Sequence, residues 1–311
     1  MKEYKGANSF LSERQTVVTI GTFDGVHAGH RKIIDRLVNS ATANNLDSVV
    51  LTFFPHPRMV LQQESGIKLI NTITERKQLL EETGIDHLVV HPFTHQFSRL
   101  TALEFVRDIL VNKLKAKKII IGYDHRFGRN RTADINDLRQ FGREFEFEVE
   151  EISQQDIEQV AVSSTKIRNA LFEGKVEKAN TFLQHPFSIH GTVVKGRGIG
   201  KDLGFPTANL EVAEDYKLIP KNGVYVIRSV IEGETVFGMM NIGTNPTVGG
   251  KEQTIEANFF DLDKDLYGQE LDVDLLVRIR DEKKFSSIDD LKIAMKQDQA
   301  FSFQYIKDNY A

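Results

Sequence analysis

Up to about residue 182 the hydrophobic positions follow two alternating periods. Short continuous apolar runs at 17–20, 48–54, 87–91, 118–121 and 145–152 read as strands buried on both faces. Between them, segments 31–44, 74–82, 101–114 and 134–143 repeat at helical spacing. Thr101 with Glu104 predicts a capping box, and Gly84 a helix stop. Residues 176–184 read as a last short helix, broken by His185-Pro186. Strands alternating with helices predict an α/β domain with a parallel sheet, whose ligands sit beyond the strands' C-terminal ends.

From about residue 187 the pattern changes. Strand-length runs at 188–195, 223–231, 235–241, 254–260 and 270–280 follow one another, with Asn222-Gly223, Glu232-Gly233 and Gly249-Gly250 among the turns. Such a series predicts an antiparallel β-barrel or sandwich. Helical spacing returns over 287–308, with Ser286 and Ser287 as caps, and predicts one helix, or two with a break, packed on the barrel. The 311 residues therefore read as two domains, 1–182 and 187–311.

Composition narrows the class. With 40% hydrophobic and 27% charged residues, each domain has ample material for a core. A formal net charge of −4 gives no reason to expect nucleic acid as a partner. The absence of cysteine excludes disulfides and thiolate metal sites, and fits a reducing cytoplasm. No window approaches a membrane span and the N-terminus lacks an apolar leader. The expectation is a cytoplasmic protein with no membrane and no obligate protein partner.

The chemistry gathers after strands. Gly21-Thr22-Phe23-Asp24-Gly25-Val26-His27-Ala28-Gly29-His30-Arg31 joins the first long strand to a helix. A helix start offers unpaired N–H groups and the positive end of its dipole, and Gly25 and Gly29 let a ligand approach the backbone. His27 and His30 stand three residues apart, but no third metal ligand lies at a convincing spacing, so phosphate contact is the better reading. Phe53-Phe54-Pro55-His56-Pro57-Arg58 predicts a stiff, non-helical loop presenting aromatics, an imidazole and a guanidinium. The loop Gly122-Tyr123-Asp124-His125-Arg126-Phe127-Gly128-Arg129-Asn130-Arg131 alone reads as solvated surface; beside a phosphate site its arginines become anion clamps. Ser163, Ser164 and Thr165 open a helix, and capping explains one or two of these hydroxyls. It does not explain Lys166 and Arg168, because cations near a helix start oppose its dipole unless an anion sits there.

His27-Ala28-Gly29-His30 resembles the His-x-Gly-His signature of nucleotidylyltransferases, and 162–168 resembles their second signature. With 54–57 and 122–128 in the same order, this half looks like the adenylyltransferase module of the bacterial bifunctional riboflavin kinase/FMN adenylyltransferases, or FAD synthetases. The resemblance implies a Rossmann-like domain that transfers AMP from ATP to the phosphate of FMN, giving FAD and pyrophosphate. It implies catalytic roles for His27, His30 and Arg168. It places Gly21, Phe23, Asp24, Gly25, Asp124, Arg129, Ser163, Ser164, Thr165 and Lys166 at the nucleotide, and Phe54, Pro55, His56, Pro57 and Arg58 on the flavin side. Lys166 stands where the family often has Arg, and Ala133 where a glycine is common. The residue chemistry agrees: the incoming phosphate is already a nucleophile, so the protein needs only to position two anions and stabilise developing charge.

In the second half, Gly196, Arg197, Gly198, Gly200, Lys201 and Gly204 make a glycine-rich flap with two cations, without the ending of a Walker P-loop. Thr207 and Asn209 alternate on an extended segment and can set two neutral oxygens on one face for a hard cation. Pro206-Thr207-Ala208-Asn209 resembles the riboflavin kinase signature. That likeness implies ATP at the flap, Mg²⁺ and phosphates at Thr207 and Asn209, Asn222 bordering the nucleotide, and Glu256 activating the ribityl hydroxyl. Asn258 departs from the His often found there. The whole chain is then expected to convert riboflavin to FMN and FMN to FAD with ATP and Mg²⁺, its partners being these small molecules. The alternatives are a nucleotidylyltransferase for another phosphate ester with a passive barrel, or a non-catalytic flavin-sensing regulator.

Overall fold

The apolar runs of the N-terminal half become strands of a wholly parallel sheet, because a strand without a polar face must be covered on both sides. The computed structural model describes residues 1–62, 66–153, 162–196, 204–247 and 250–310. It splits into two units, Met1–Ser164 and Thr165–Ala311. In the first, β1 (Lys2–Tyr4), β2 (Thr16–Ile20), β3 (Asp47–Phe54), β4 (His87–Pro92), β5 (Ala116–Gly122) and β6 (Glu148–Ile152) are arranged in the order β1-β4-β3-β2-β5-β6. The helices are α1 (Ala28–Asn44), α2 (Pro57–Leu61), α3 (Ile73–Glu81), α4 (Ala102–Glu104), which runs into a π-helical stretch at Phe105–Val111, and α5 (Ile135–Phe145). Alternate strand residues feed opposite cores. Val17, Val50 and Ile120 pack with Ile34 and Leu37 of α1. Val18, Val49 and Ile119 pack with Phe105, Leu110 and Leu138. From β2 the chain builds outward through β3 to β4 and then returns to β5 on the other side. The crevice between β2 and β5 is thus a topological switch point, where such sheets bind ligands.

The second unit holds α6 (Ser164–Phe172, whose first residue closes unit one), α7 (Val176–Leu183) and a closed six-stranded antiparallel barrel. The barrel strands are β7 (Phe187–Val194), β8 (Ala208–Glu211), β9 (Gly223–Ile231), β10 (Glu234–Thr247), β11 (Gly250–Phe259) and β12 (Glu270–Arg280), in the order β10-β11-β8-β7-β12-β9. Closure leaves no free edge. One helix, α8 (Ile288–Tyr310), covers the outside: its Met295 and Ile306 pack on Phe237, Met239 and Phe260, and its Asp298 takes two bonds from Arg280, at 2.9 and 2.7 Å.

Both capping predictions stand: Thr101 and Glu104 exchange side-chain bonds with each other's backbone N–H, and Ser287 accepts from the N–H of Asp290. Elsewhere the structure corrects the sequence expectation. Phe145 ends α5 instead of starting a strand, because it packs beside Phe141 one turn earlier and Glu146 closes the helix in the left-handed region. The 54–58 segment is not wholly non-helical: Pro57 occupies the first turn of α2, where its missing N–H costs nothing. Strand β1 has no signal in the sequence, being short and half polar, whereas β8 falls on the segment read as extended at Thr207 and Asn209.

Candidate functional sites

At the end of β2 the chain makes a tight turn that its residues would not adopt unaided. Phe23 and Val26 take left-handed φ values of 48° and 38° beside Gly25 at 92°. Asp24 pins this turn. Its buried carboxylate accepts from the N–H groups of Ile70 and Asn71, each at 3.2 Å, and lies 3.8 Å from the Arg76 guanidinium. Ser164 Oγ donates to the Asp24 carbonyl at 3.0 Å. The turn delivers His27 to the N-cap of α1, where its Nδ1 accepts from the His30 N–H at 3.4 Å. With Nδ1 an acceptor, a neutral His27 ring carries its proton on Nε2. The two imidazoles stack with centroids 3.6 Å apart and planes 15° apart. Burial, then the neighbouring His27 and Arg76, hold the His30 pKa well below the ordinary value, so that ring is neutral at pH 7.

Beyond the C-terminal ends of β2, β3 and β5 lies a cavity of about 420 Å³. Of the residues expected at the site, it brings together Gly21, Phe23, His30, Pro57 and Asp124. Its apolar wall is Phe53, Phe93, Phe97, Phe105 and Phe127, whose rings meet edge-on or tilted at 5.6–6.1 Å between Phe53 and Phe97, Phe97 and Phe105, and Phe105 and Phe127. His125, Arg126 and Arg131 line it from the loop after β5. Burial, then Arg131, lowers the His125 pKa to about 4 against the opposing pull of Asp124.

The other expected residues stand outside the lining. Asp24, Gly25, His27 and Ser164 build the turn and its surroundings, and Ser163 and Arg129 are exposed. Phe54, Pro55, His56 and Arg58 do not line the cavity either; His56 caps α2, its Nδ1 accepting from the Arg58 N–H at 3.1 Å. Thr165, Lys166 and Arg168 lie on the first two turns of α6 in the second unit, with Thr165 and Lys166 exposed and Arg168 buried. Sequence reasoning missed Phe93, Phe97 and His125. The signal for the first two was the same rule that located the glycine-histidine turn, since both follow the C-terminal end of β4.

In the barrel, strand register assembles the second site. Glu256 of β11 pairs with Asn209 of β8 on one side and Asn241 of β10 on the other. Directly paired residues share a face, so the three form a row across the wall, on the face of Met239 that packs against α8. Gly196 lies against this row: a Cβ there would sit 2.0 Å from Asn209 Nδ2. Asn258 is buried and donates from Nδ2 to the Pro206 carbonyl at 2.7 Å, fixing the backbone before Thr207. Asn222 donates to Thr244 Oγ1 at 2.7 Å and to Glu282 at 3.0 Å, while Arg278 holds its carbonyl at 2.7 Å. Gly204 turns at φ 83° with open space about its α-carbon. Arg197, Gly198, Gly200 and Lys201 lie outside the described residues. Among the described residues no cluster of three or more His, Cys, Asp or Glu could hold a metal ion. Thr207 and Asn209, neutral oxygen donors beside one carboxylate, nevertheless fit a Mg²⁺ ion that takes most of its ligands from phosphates and water.

Comparison with known proteins finds a separate family model for each half of the chain. Residues 10–166 match the family model for FAD synthetase and residues 183–306 that for riboflavin kinase. The bifunctional riboflavin kinase/FMN adenylyltransferase of Escherichia coli (strain K12) is 35% identical over 302 residues, 96% of each chain. That of Listeria monocytogenes is 35% identical over 285 residues, 91% of this chain and 90% of its own. A crystal structure described as a macrolide-efflux protein from Streptococcus pneumoniae superposes with a TM-score of 0.86 at 31% identity, covering 100% of this chain and 99% of that one. No helix among the described residues is long and apolar enough to cross a membrane. This chain belongs to the bifunctional riboflavin kinase/FMN adenylyltransferase family.

Proposed function

We infer that the family's two activities run at the two sites described, one in each unit. The chain is a bifunctional enzyme: it phosphorylates riboflavin with ATP to FMN, and adenylylates FMN with ATP to FAD and pyrophosphate. The observation that carries the two-site assignment is the register setting Glu256 opposite Asn209, in a different unit from the His27–His30 stack.

In the barrel, Glu256 takes the proton of the ribityl hydroxyl, a step worth roughly 10²–10⁴ in rate. Thr207 and Asn209 hold Mg²⁺, which neutralises phosphate charge when bound. Asn258 keeps Thr207 in place through the Pro206 carbonyl, Gly196 lets Asn209 reach the row, and Asn222 borders the nucleotide.

In the first unit, FMN phosphate needs no base. The N–H groups at the start of α1, the His27 Nε2–H and the neutral His30 meet the phosphates as hydrogen-bonding groups. Positive charge comes from Arg126 and Arg131 of the loop after β5, which line the cavity. The phenylalanine wall seats the isoalloxazine, with Pro57 at its edge. Asp24 acts through the turn it holds. The adenylyltransferase is drawn from residues 1–182 and the kinase from 187–311, working in the cytoplasm.

Purified protein given riboflavin, ATP and Mg²⁺ should show FMN rising first and FAD following, the flavins being separated by chromatography. Excess chelator should arrest both steps. FAD formed from riboflavin without any FMN intermediate would overturn the scheme.

A further inference from the structure

Two ring nitrogens lining the cavity of the first unit are buried and have no hydrogen-bond partner among the described residues: His30 Nδ1 and His125 Nε2. A buried polar atom left unpaired is expensive, so each marks a place where a ligand supplies the partner. His30 belongs to the phosphate turn, stacked on His27 and edge-on to Phe23 at 5.2 Å. His125 belongs to the aromatic wall. Its ring lies 6.2 Å from Phe127 with planes 21° apart, and Phe127 packs on Phe105. The charged neighbours are engaged or exposed: Arg126 lies 3.7 Å from Asp134, and Asp124 and Arg131 are exposed.

We propose that His125 is a specificity-determining residue of the adenylyltransferase site, its Nε2 pairing with the polar pyrimidine edge of the isoalloxazine. The proposal rests on the reading that FMN occupies this cavity. Five phenylalanines suit a large fused heterocycle, and its pyrimidine edge, with an N–H between two carbonyls, concentrates its hydrogen-bonding groups and its only ring donor. A neutral imidazole serves that edge in either tautomer, whereas a cation would be costly against the apolar rings. The same polar group could instead meet adenine, and the test separates the two.

Steady-state KM for FMN and for ATP would be measured in FAD formation for the wild type, His125→Phe, His125→Gln and Phe97→Ala, each checked for an unchanged fold by circular dichroism. FMN carrying a methyl group on N3 serves as a second substrate. His125→Phe should raise KM for FMN roughly tenfold with KM for ATP unchanged, and His125→Gln should recover part of the loss. The wild type should discriminate against the N3-methyl substrate, and His125→Phe should lose most of that discrimination. A rise in KM for ATP alone would assign His125 to adenine and overturn the proposal. So would equal discrimination by wild type and His125→Phe. If Phe97→Ala leaves KM for FMN unchanged, the cavity reading itself fails; if Phe97→Ala raises it and His125→Phe does not, only the His125 proposal fails.

Discussion

His30 and His125 keep their rings neutral through burial, and this has consequences for stability as well as chemistry. Both have folded pKa values below the ordinary 6.5, about 4 for His125. Below pH 6.5 the unfolded chain therefore binds protons that the folded chain refuses. Stability is fully present above the unfolded value and is lost as pH falls below about 6.5; for His125 the window runs down to about 4, at up to roughly 1.4 kcal/mol per pH unit. Thermal melting between pH 7 and pH 4.5 should show a shallower acid loss in His125→Phe than in the wild type; equal slopes would contradict the burial argument. At the same scale, removing Glu256 and removing the imidazoles should have separable effects. Glu256→Gln should slow FMN formation by roughly 10²–10⁴. Removing one phosphate donor of the first site should cost FAD formation roughly 10²–10³.

Single residues work here because elements hold them. The row of Asn241, Glu256 and Asn209 exists through the pairing of three antiparallel strands, and it tolerates Gly196 only as glycine. Gly196→Ala must push the Asn209 side chain away, and a displacement of about 1 Å can cost roughly 10² in rate. Riboflavin phosphorylation should fall by that order in Gly196→Ala while AMP transfer to supplied FMN stays unchanged; assays of the two half-reactions on one preparation check both. Elements also set what could be read from sequence. The long apolar runs announced β2 through β5 because strands covered on both faces leave no other pattern. β1, three residues and half polar, joins the sheet through backbone pairing with β4, which side-chain periodicity does not report. Phe145 was misplaced because an apolar residue at the end of a helix is indistinguishable from the start of the next strand until its partner Phe141 is known.

For the whole molecule, chain order revealed two folds and the family, yet it hid the aromatic wall of the cavity. Phe53, Phe93, Phe97, Phe105 and Phe127 come from four separate segments and meet only because the sheet order brings the ends of β3, β4 and β5 to one pole. Conversely, His56 and Asp24 carried the look of ligand residues, and the structure shows the first capping α2 and the second clamping a turn. The strands and helices of the two units share no catalytic side chain in the proposed scheme, so the sites should fail independently. The direct measurement is a crossed pair of variants, each supplied separately with riboflavin and with FMN, with ATP and Mg²⁺ present and products resolved by chromatography. Glu256→Gln should make almost no FMN from riboflavin yet convert supplied FMN to FAD at the wild-type rate. The double variant His27→Ala/His30→Ala should convert riboflavin to FMN and accumulate it. Loss of both activities in either folded variant, or survival of the one each should lose, would contradict the two-site account.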